Sequence, residues 1–88
     1  MAFEWDPAKA RANRRKHGVG FPDAVGVFED PAARTVDDPH PGEDRYVTLG
    51  ADLLGRILAV AWTWRGEDIR LISARLASPR ERRHYQEG

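Results

Sequence analysis

Arginines accompanied by a histidine and a tyrosine are the residues of this chain best suited to chemistry. In the last third, an apolar strand pattern over residues 69–75 leads directly into a basic helix that begins after Ser78 and includes Tyr85. The planar guanidinium group binds phosphate through two parallel hydrogen bonds, and His or Tyr can transfer protons. These residue types predict a metal-free site that holds and strains a phosphodiester.

Cleavage of RNA without a metal ion requires three actions at the phosphate. One group activates the 2′-hydroxyl, another stabilises the charge of the phosphorane, and a third protonates the leaving 5′-oxygen. The residues that could supply these actions are Arg75, Arg65, Arg45, His17 and Tyr85. The further cations that could bind RNA are Lys16, Arg70, Arg82 and Arg83.

Three of these candidates also have a structural interpretation. Arg75, the first choice for a phosphate contact, could instead form an ion pair with Glu81. His17 falls in the last turn of a predicted helix, where its charge would complement the helix dipole. Tyr85 shares a helical face with Arg82 at a spacing of i and i+3, yet it could simply anchor that helix to the core.

Arg65 and Arg45 lie at strand ends, where exposed arginines are ordinary. Arg45 could pair with Glu43 or Asp44 in the acidic segment before it. The side of the sheet that Arg65 occupies depends on the length of the next turn. A three-residue turn over residues 66–68 places it with Arg75, whereas a two- or four-residue turn places it with Arg70. The sequence does not choose between these registers.

The formal net charge is zero, but the charges are unevenly distributed. Residues 1–18 carry five basic and two acidic side chains, residues 19–44 carry one and seven, and residues 45–88 carry eight and five. The basic ends could together attract RNA or an acidic partner, and the acidic middle would repel nucleic acid. Ordinary solvated faces explain the same charges equally well.

The composition excludes several classes of protein. The absence of cysteine excludes a disulfide framework and a thiolate metal site. The longest apolar run, residues 57–62, is far too short to cross a membrane, and residues 1–20 are charged rather than signal-like. A cytoplasmic location is therefore expected. The acidic stretch around His40 is predicted to be a solvated loop, so neither a metal nor an organic cofactor is expected.

The order of helix and strand signals predicts a single α+β domain over residues 1–88. An N-terminal strand precedes a helix over residues 7–17, which Gly18 ends, and a second helix that ends at Asp30. Residues 37–44 are expected to form a polar loop. An antiparallel sheet of three to four strands and a C-terminal helix follow, the helix with Ser78 and Glu81 as a capping box.

The central predicted strand has two unlike faces. Its large residues are Leu58, Val60, Trp62 and Trp64, and its smaller ones, ending in an arginine, are Ala59, Ala61, Thr63 and Arg65. We expect the large face to bury against the helices and the small face to form a shallow floor.

The chain resembles the BrnT family of type II toxins. The residues that carry the resemblance are Phe3-Glu4-Trp5-Asp6-Pro7, Lys9, Asn13, Lys16-His17-Gly18-Val19, Phe21, Ala24, Val27-Phe28, Asp30-Pro31, Arg45, Gly50, Arg65, Ile69-Arg70, Ile72-Ser73-Ala74-Arg75, Glu81-Arg82 and Tyr85. They span nearly the whole chain. The sequence departs from the family pattern at Gly20 and Pro22, which alter the start of the second helix, and in the pair Trp62 and Trp64.

The resemblance implies a RelE-like fold and a ribonuclease activity that arrests translation. It also implies a BrnA-type antitoxin, with which the toxin forms a complex of two toxins and two antitoxins. The ribbon-helix-helix part of the antitoxin would bind DNA, and the toxin itself would not. Two other interpretations remain open: a non-catalytic module that binds a protein or nucleic acid, and a degenerate toxin that keeps only its antitoxin.

Overall fold

The computed structural model describes residues 1–87. Its helices and strands, in chain order, are β1 (Phe3–Glu4), α1 (Pro7–His17), α2 (Phe21–Ala24), a 3-10 helix (Val25–Glu29), β2 (Arg34–His40), β3 (Glu43–Ala51), β4 (Ile57–Arg65), β5 (Asp68–Leu76) and α3 (Pro79–Glu87). Within the described residues, no helix is both long and apolar enough to span a membrane.

The five strands form one sheet in the order β1-β5-β4-β3-β2. Strands β2 to β5 are an antiparallel meander, as short connections require. The predicted α+β class is confirmed, with four antiparallel strands. The position of β1 was not predicted: it pairs in parallel with β5 and makes a fifth strand at the edge.

The prediction of a polar loop over residues 37–44 is wrong. These residues form the end of β2 and the start of β3, joined by a turn at Pro41 and Gly42, whose φ of 77° is the left-handed value that glycine adopts easily. Polar composition was misleading because β2 is an edge strand with exposed residues. Pro39 is compatible with an edge strand, where a missing N–H need not break a ladder.

The helix ends agree with the sequence signals. The Asp6 carboxylate accepts a hydrogen bond from the N–H of Ala8 at 3.0 Å, and Gly18 ends α1 with a φ of 71°. In α3, the Ser78 hydroxyl and the Glu81 carboxylate accept hydrogen bonds from each other's backbone N–H at 3.1 and 2.8 Å, which confirms the capping box. In contrast, Gly20 gives α2 no side-chain cap.

The core lies between one face of the sheet and the helices α1 and α2 with the following 3-10 helix. Leu58 and Val60 are fully buried there, and Trp62 is nearly so, in one cluster with Phe21. Burial of the large face of β4 is thus confirmed for three residues. It is wrong for Trp64, which is 46% exposed at the end of the strand and contacts the Trp62 ring edge-on.

The buried side chain of Asn13, in α1, forms hydrogen bonds with backbone groups at the edge of β5. The Asn13 amide donates to the carbonyl oxygen of Ala74 at 2.8 Å and accepts from the N–H of the same residue at 3.0 Å. It also donates to the carbonyl oxygen of Val19 at 3.1 Å. Asn13 thereby acts as a short substitute for a neighbouring strand and fixes α1 against the sheet.

We predict that Asn13→Ala destabilises the fold by about 2–3 kcal/mol, because it leaves buried backbone groups of Ala74 and Val19 without partners. Urea unfolding would measure this change. Arg11→Ala, on the exposed side of the same helix, is the matched control and should change the free energy of unfolding by less than about 0.5 kcal/mol. Equal stability of the two variants would contradict the proposed importance of the Asn13 contacts.

Candidate active site

The turn between β4 and β5 determines where Arg65 lies. It contains two residues, 66–67, so that Arg65 pairs with Asp68 and Thr63 pairs with Arg70. Directly paired residues of antiparallel strands project on the same side of a sheet. Arg65 and Arg70 therefore share a face, which is the outcome expected of a two-residue turn.

A bulge in β5 then brings Arg75 to the same face. Ala61 pairs with Ser73, whereas the next residue of β4 pairs with Leu71, which leaves Ile72 as an extra residue. An extra residue reverses the alternation of the strand beyond it. The sequence allowed Arg65 to share a face either with Arg75 or with Arg70. Because of the bulge, it shares a face with both.

Arg45 completes this set because it pairs with Thr63 from the other neighbouring strand. We call the sheet face that carries Arg45, Arg65, Arg70 and Arg75 the arginine face. It is opposite to the face that packs against α1 and α2.

The arginine face is a band rather than a compact cluster. Arg45 and Arg70 flank Thr63 on neighbouring strands, so their Cα atoms are about 10 Å apart at ordinary strand spacing. Arg75 pairs with Ala59, which is four residues from Thr63 and hence about 13 Å along the strand. A single phosphate cannot contact every arginine of the band.

Three of the four arginines have an acidic partner. Arg45 donates from its Nε to Glu43 at 2.7 Å, and Arg70 donates from a terminal nitrogen to Glu4 at 3.2 Å. Hydrogen bonding to Arg45 lowers the pKa of Glu43. Arg65 is exposed and has no ion pair within residues 1–87. The acidic side chains hold the other three guanidinium groups in place. A phosphate group would therefore have to bind beside the acid or displace it.

The Arg75 guanidinium forms the best-defined of these pairs. It donates to both carboxylate oxygens of Glu81, at 2.7 and 3.0 Å. This pairing raises the pKa of Arg75 and, chiefly through the same hydrogen bonds, lowers the pKa of Glu81 to about 2. The Arg75 side chain remains 45% exposed. Its ion pair and its access to solvent coexist, so the pair orients the guanidinium without enclosing it.

The Tyr85 hydroxyl is bound by an acidic side chain beside the end of β3 rather than by an arginine. It donates to the Asp30 carboxylate at 2.6 Å, and that carboxylate also accepts from the N–H groups of Ala51 and Ala32. The hydrogen bond to Asp30 raises the pKa of Tyr85 and lowers the pKa of Asp30. The structure therefore uses Tyr85 to attach α3 to the segment before β2.

His17 and Lys16 border the middle of the band. They line a cavity of about 230 Å³ together with Ser73 and the bulge residue Ile72. Ser73 is on the arginine face between Arg70 and Arg75 along β5, because it pairs with Ala61. Sequence reasoning did not place Ser73 beside the candidate residues. Its position could have been found only by placing the bulge, which no local pattern indicates.

The two remaining cations lie on α3, beyond the Arg75 end of the band. Arg82 lines a cavity of about 290 Å³ with the turn before β4 and with Ile57 and Leu76. Arg83 is exposed. The structure thus places the basic candidates at both ends of the arginine face and along one side of it.

The acidic hairpin of β2 and β3 surrounds Arg45. A cavity of about 410 Å³ is lined there by Asp37, Asp38, Pro39, His40, Glu43, Asp44, Arg45 and Tyr46. Among residues 1–87, no three His, Asp or Glu side chains are arranged to hold a metal ion.

The chain is similar to known ribonuclease toxins in both sequence and fold. A sequence model of the family described as "Ribonuclease toxin, BrnT, of type II toxin-antitoxin system" matches residues 5–81. The crystal structure of the Brucella abortus ribonuclease toxin, BrnT, has a TM-score of 0.69 and 30% sequence identity to this chain. The match covers 89% of this chain and 97% of that one. No curated protein matches.

We predict that the ion pair of Glu81 makes stability fall with acid. The folded-state pKa of about 2 lies below the ordinary value of 4.5, so between these values the unfolded chain binds more protons and acid favours it. Glu81→Gln keeps an oxygen for the cap but loses the charge. The free energy of unfolding of this variant should therefore fall less between pH 6 and pH 2 than that of the wild type, with a difference of up to about 1 kcal/mol. Urea midpoints from pH 6 to pH 2 would test this.

Glu67→Gln, in the exposed β4–β5 turn, is the control and should follow the wild-type pH curve. If Glu81→Gln follows that curve as well, the ion pair contributes nothing to the pH dependence.

Proposed function

Because the chain belongs to the BrnT family of ribonuclease toxins of type II toxin-antitoxin systems, we propose that it is an endoribonuclease that cleaves cellular RNA and thereby inhibits translation. The observation that carries this proposal is the arginine face, where a turn and a bulge align four guanidinium groups on one side of a rigid sheet. Arginine stabilises a phosphorane through charge and paired hydrogen bonds.

The proposed catalytic residues are Arg75, Arg65, Arg45, His17 and Tyr85. Arg75 is the first choice for the phosphorane, because a guanidinium fixed in one plane loses little entropy when it binds a second anion. His17 supplies proton transfer from the cavity beside Ser73. Tyr85 would act only after its hydroxyl leaves Asp30. Arg65 and Arg45 lie at the opposite end of the band from Arg75 and would stabilise the charge of neighbouring phosphates of the same RNA.

RNA would follow the band from one end to the other. Lys16 borders its middle, Arg70 lies level with Arg45, and Arg82 and Arg83 extend it onto α3. A band longer than one phosphate suits a polymer, because several nucleotides can be held while one is cleaved. This placement and their charge support an RNA-binding role for these four cations.

The rest of the proposal follows from family membership. The toxin would be neutralised by a BrnA-type ribbon-helix-helix antitoxin, in a complex of two copies of each, and would meet DNA only through it. The chain would act as one RelE-like toxin domain over residues 1–88, in the cytoplasm, and without a metal or an organic cofactor.

A second candidate function is a non-catalytic binding module, or a degenerate toxin that keeps only its antitoxin. One observation favours it: Arg45, Arg70 and Arg75 each have an acidic partner, and the Tyr85 hydroxyl is bound to Asp30. Guanidinium groups and a hydroxyl that already have partners are less available for phosphate chemistry. Loss of cleavage in a purified chain that still binds its antitoxin would support this second function.

We predict that the purified chain cleaves RNA in the presence of EDTA at a rate within about twofold of the rate without it. The arginine face offers guanidinium groups, which do not bind metal ions, and within residues 1–87 no three His, Asp or Glu side chains are arranged to hold one. Gel analysis of an end-labelled RNA would measure the rate. Arg75→Ala, purified in the same way, controls for contaminating nucleases. Loss of cleavage in EDTA that added Mg²⁺ restores would contradict metal independence.

We predict that Arg75→Lys keeps the fold and loses function. Lysine retains the charge but not the planar fork, so cleavage should fall at least about tenfold, equivalent to roughly 1.4 kcal/mol of transition-state stabilisation. Stability should fall by only about 0–1 kcal/mol, because the pair with Glu81 is partly exposed. Thermal melting, cleavage of RNA and uptake of labelled amino acids in expressing cells are the measurements.

Arg11→Lys, on the exposed side of α1, is the matched control and should cleave like the wild type. If Arg75→Lys is fully active, or inactive only because it unfolds, the role of Arg75 is structural, in its ion pair with Glu81.

A further inference from the structure

The helix α3 rests on the sheet mainly through polar contacts. None of its residues is buried. Its two firm attachments are the ion pair of Glu81 with Arg75, in the first turn, and the hydrogen bond from Tyr85 to Asp30, in the last. Between these attachments the helix does not seal the sheet surface beside it.

An open apolar groove lies along this side of α3. Its volume is about 310 Å³, and its floor consists of Val36, Val47 and Leu49. These residues project on the arginine face, because Val36 pairs with Val47, and Leu49 pairs with Ala59, which pairs with Arg75. Val36 is 48% exposed. Exposed apolar side chains beside a groove are typical of an interaction site.

The rim of the groove contains two arginines, Arg80 and Arg34, that form no ion pair within residues 1–87. Arg80 and His84 form the α3 wall, where the charge of Glu81 is matched by Arg75. Arg34 lies at the far end, beside the last turn of α3. Asp38, on the same side of β2 as Val36, pairs with Arg45 and lies on the other side of Val36 from Arg34. An occupant that fits is therefore apolar on one side and acidic on its flanks.

We propose that this groove is the docking site of the antitoxin, and that the docked element is a helix with an apolar stripe at i, i+3 or i+4, and i+7, flanked by acidic residues. The inference rests on the antitoxin of the proposed function. A short groove between a helix and a sheet suits a helix laid along it, with a few apolar anchors on the floor. Because Arg75 shares the sheet face with Leu49, the same helix would also restrict access to Arg75.

The test uses the full chain and, as probe, the purified protein encoded beside it in the same operon. Val36→Glu removes an apolar anchor and adds a charge that repels the acidic flank. Arg80→Glu reverses the charge of the wall. Each should weaken the affinity measured by titration calorimetry at least about tenfold, because central anchors and complementary charges dominate such interfaces. RNA cleavage by each variant alone should remain unchanged.

Two matched controls isolate the groove. Leu54→Glu makes the same kind of change at an apolar residue that is 65% exposed in the turn before β4. Arg11→Glu reverses a charge on the exposed side of α1. Both should bind the probe within about twofold of the wild type. Circular dichroism would test whether every variant is folded. If Val36→Glu is not folded, Arg80→Glu alone tests the groove.

The outcomes separate this inference from the proposed function. Weaker binding by the groove variants alone supports the docking site, even if no variant cleaves RNA and the ribonuclease proposal fails. Equal binding by all variants, or no binding by the wild type, overturns the inference. So does a loss of cleavage without a loss of affinity, which would make the groove an RNA surface. A change from dimer to monomer with affinity intact would assign it to a second copy of this chain and overturn it too.

Discussion

A single buried asparagine determines how the helical layer meets the sheet. Asn13 satisfies both backbone groups of Ala74 and a carbonyl of the loop after α1. An open strand edge exposes unpaired N–H and C=O groups that can pair with other chains. Strand β1 covers β5 only opposite Ile69 and Arg70, and Asn13 covers part of what remains. The same contact fixes the end of α1, and so it sets His17 beside Ser73.

Local features of the fold could be predicted because local residues determine them. The cap at Asp6, the left-handed Gly18 and the box formed by Ser78 and Glu81 each depend on atoms within four residues. The alternation along β4 likewise reported which residues face the helical core, although Ala59 and Thr63 on the other face are also buried. It failed at Trp64 because burial at the end of a strand depends on whether a helix reaches that far, and none does.

Features that depend on distant partners could not be predicted. The parallel pairing of β1 joins residues that are 66 apart, and the hydrogen bond of Tyr85 to Asp30 joins residues that are 55 apart. No local sequence pattern indicates the bulge at Ile72, although the bulge places Arg75 on the same face as the other arginines. Residue type therefore identified the candidates for the site, while only the fold could say which of them share a surface.

Glu81 has one consequence that extends beyond stability. Its Oε1 atom accepts hydrogen bonds both from Arg75, at 2.7 Å, and from the backbone N–H of Ser78, at 2.8 Å. A carboxylate oxygen can accept two hydrogen bonds at once, so one atom fixes both the start of α3 and the orientation of the guanidinium. An anion that draws Arg75 away would remove one of the two contacts that hold this oxygen, and linkage requires that a loosened helix start should in turn release Arg75 more readily. Substitutions of Ser78 or Glu81, which make these contacts, therefore belong to the chemistry of the arginine face, even though neither residue need touch a phosphate.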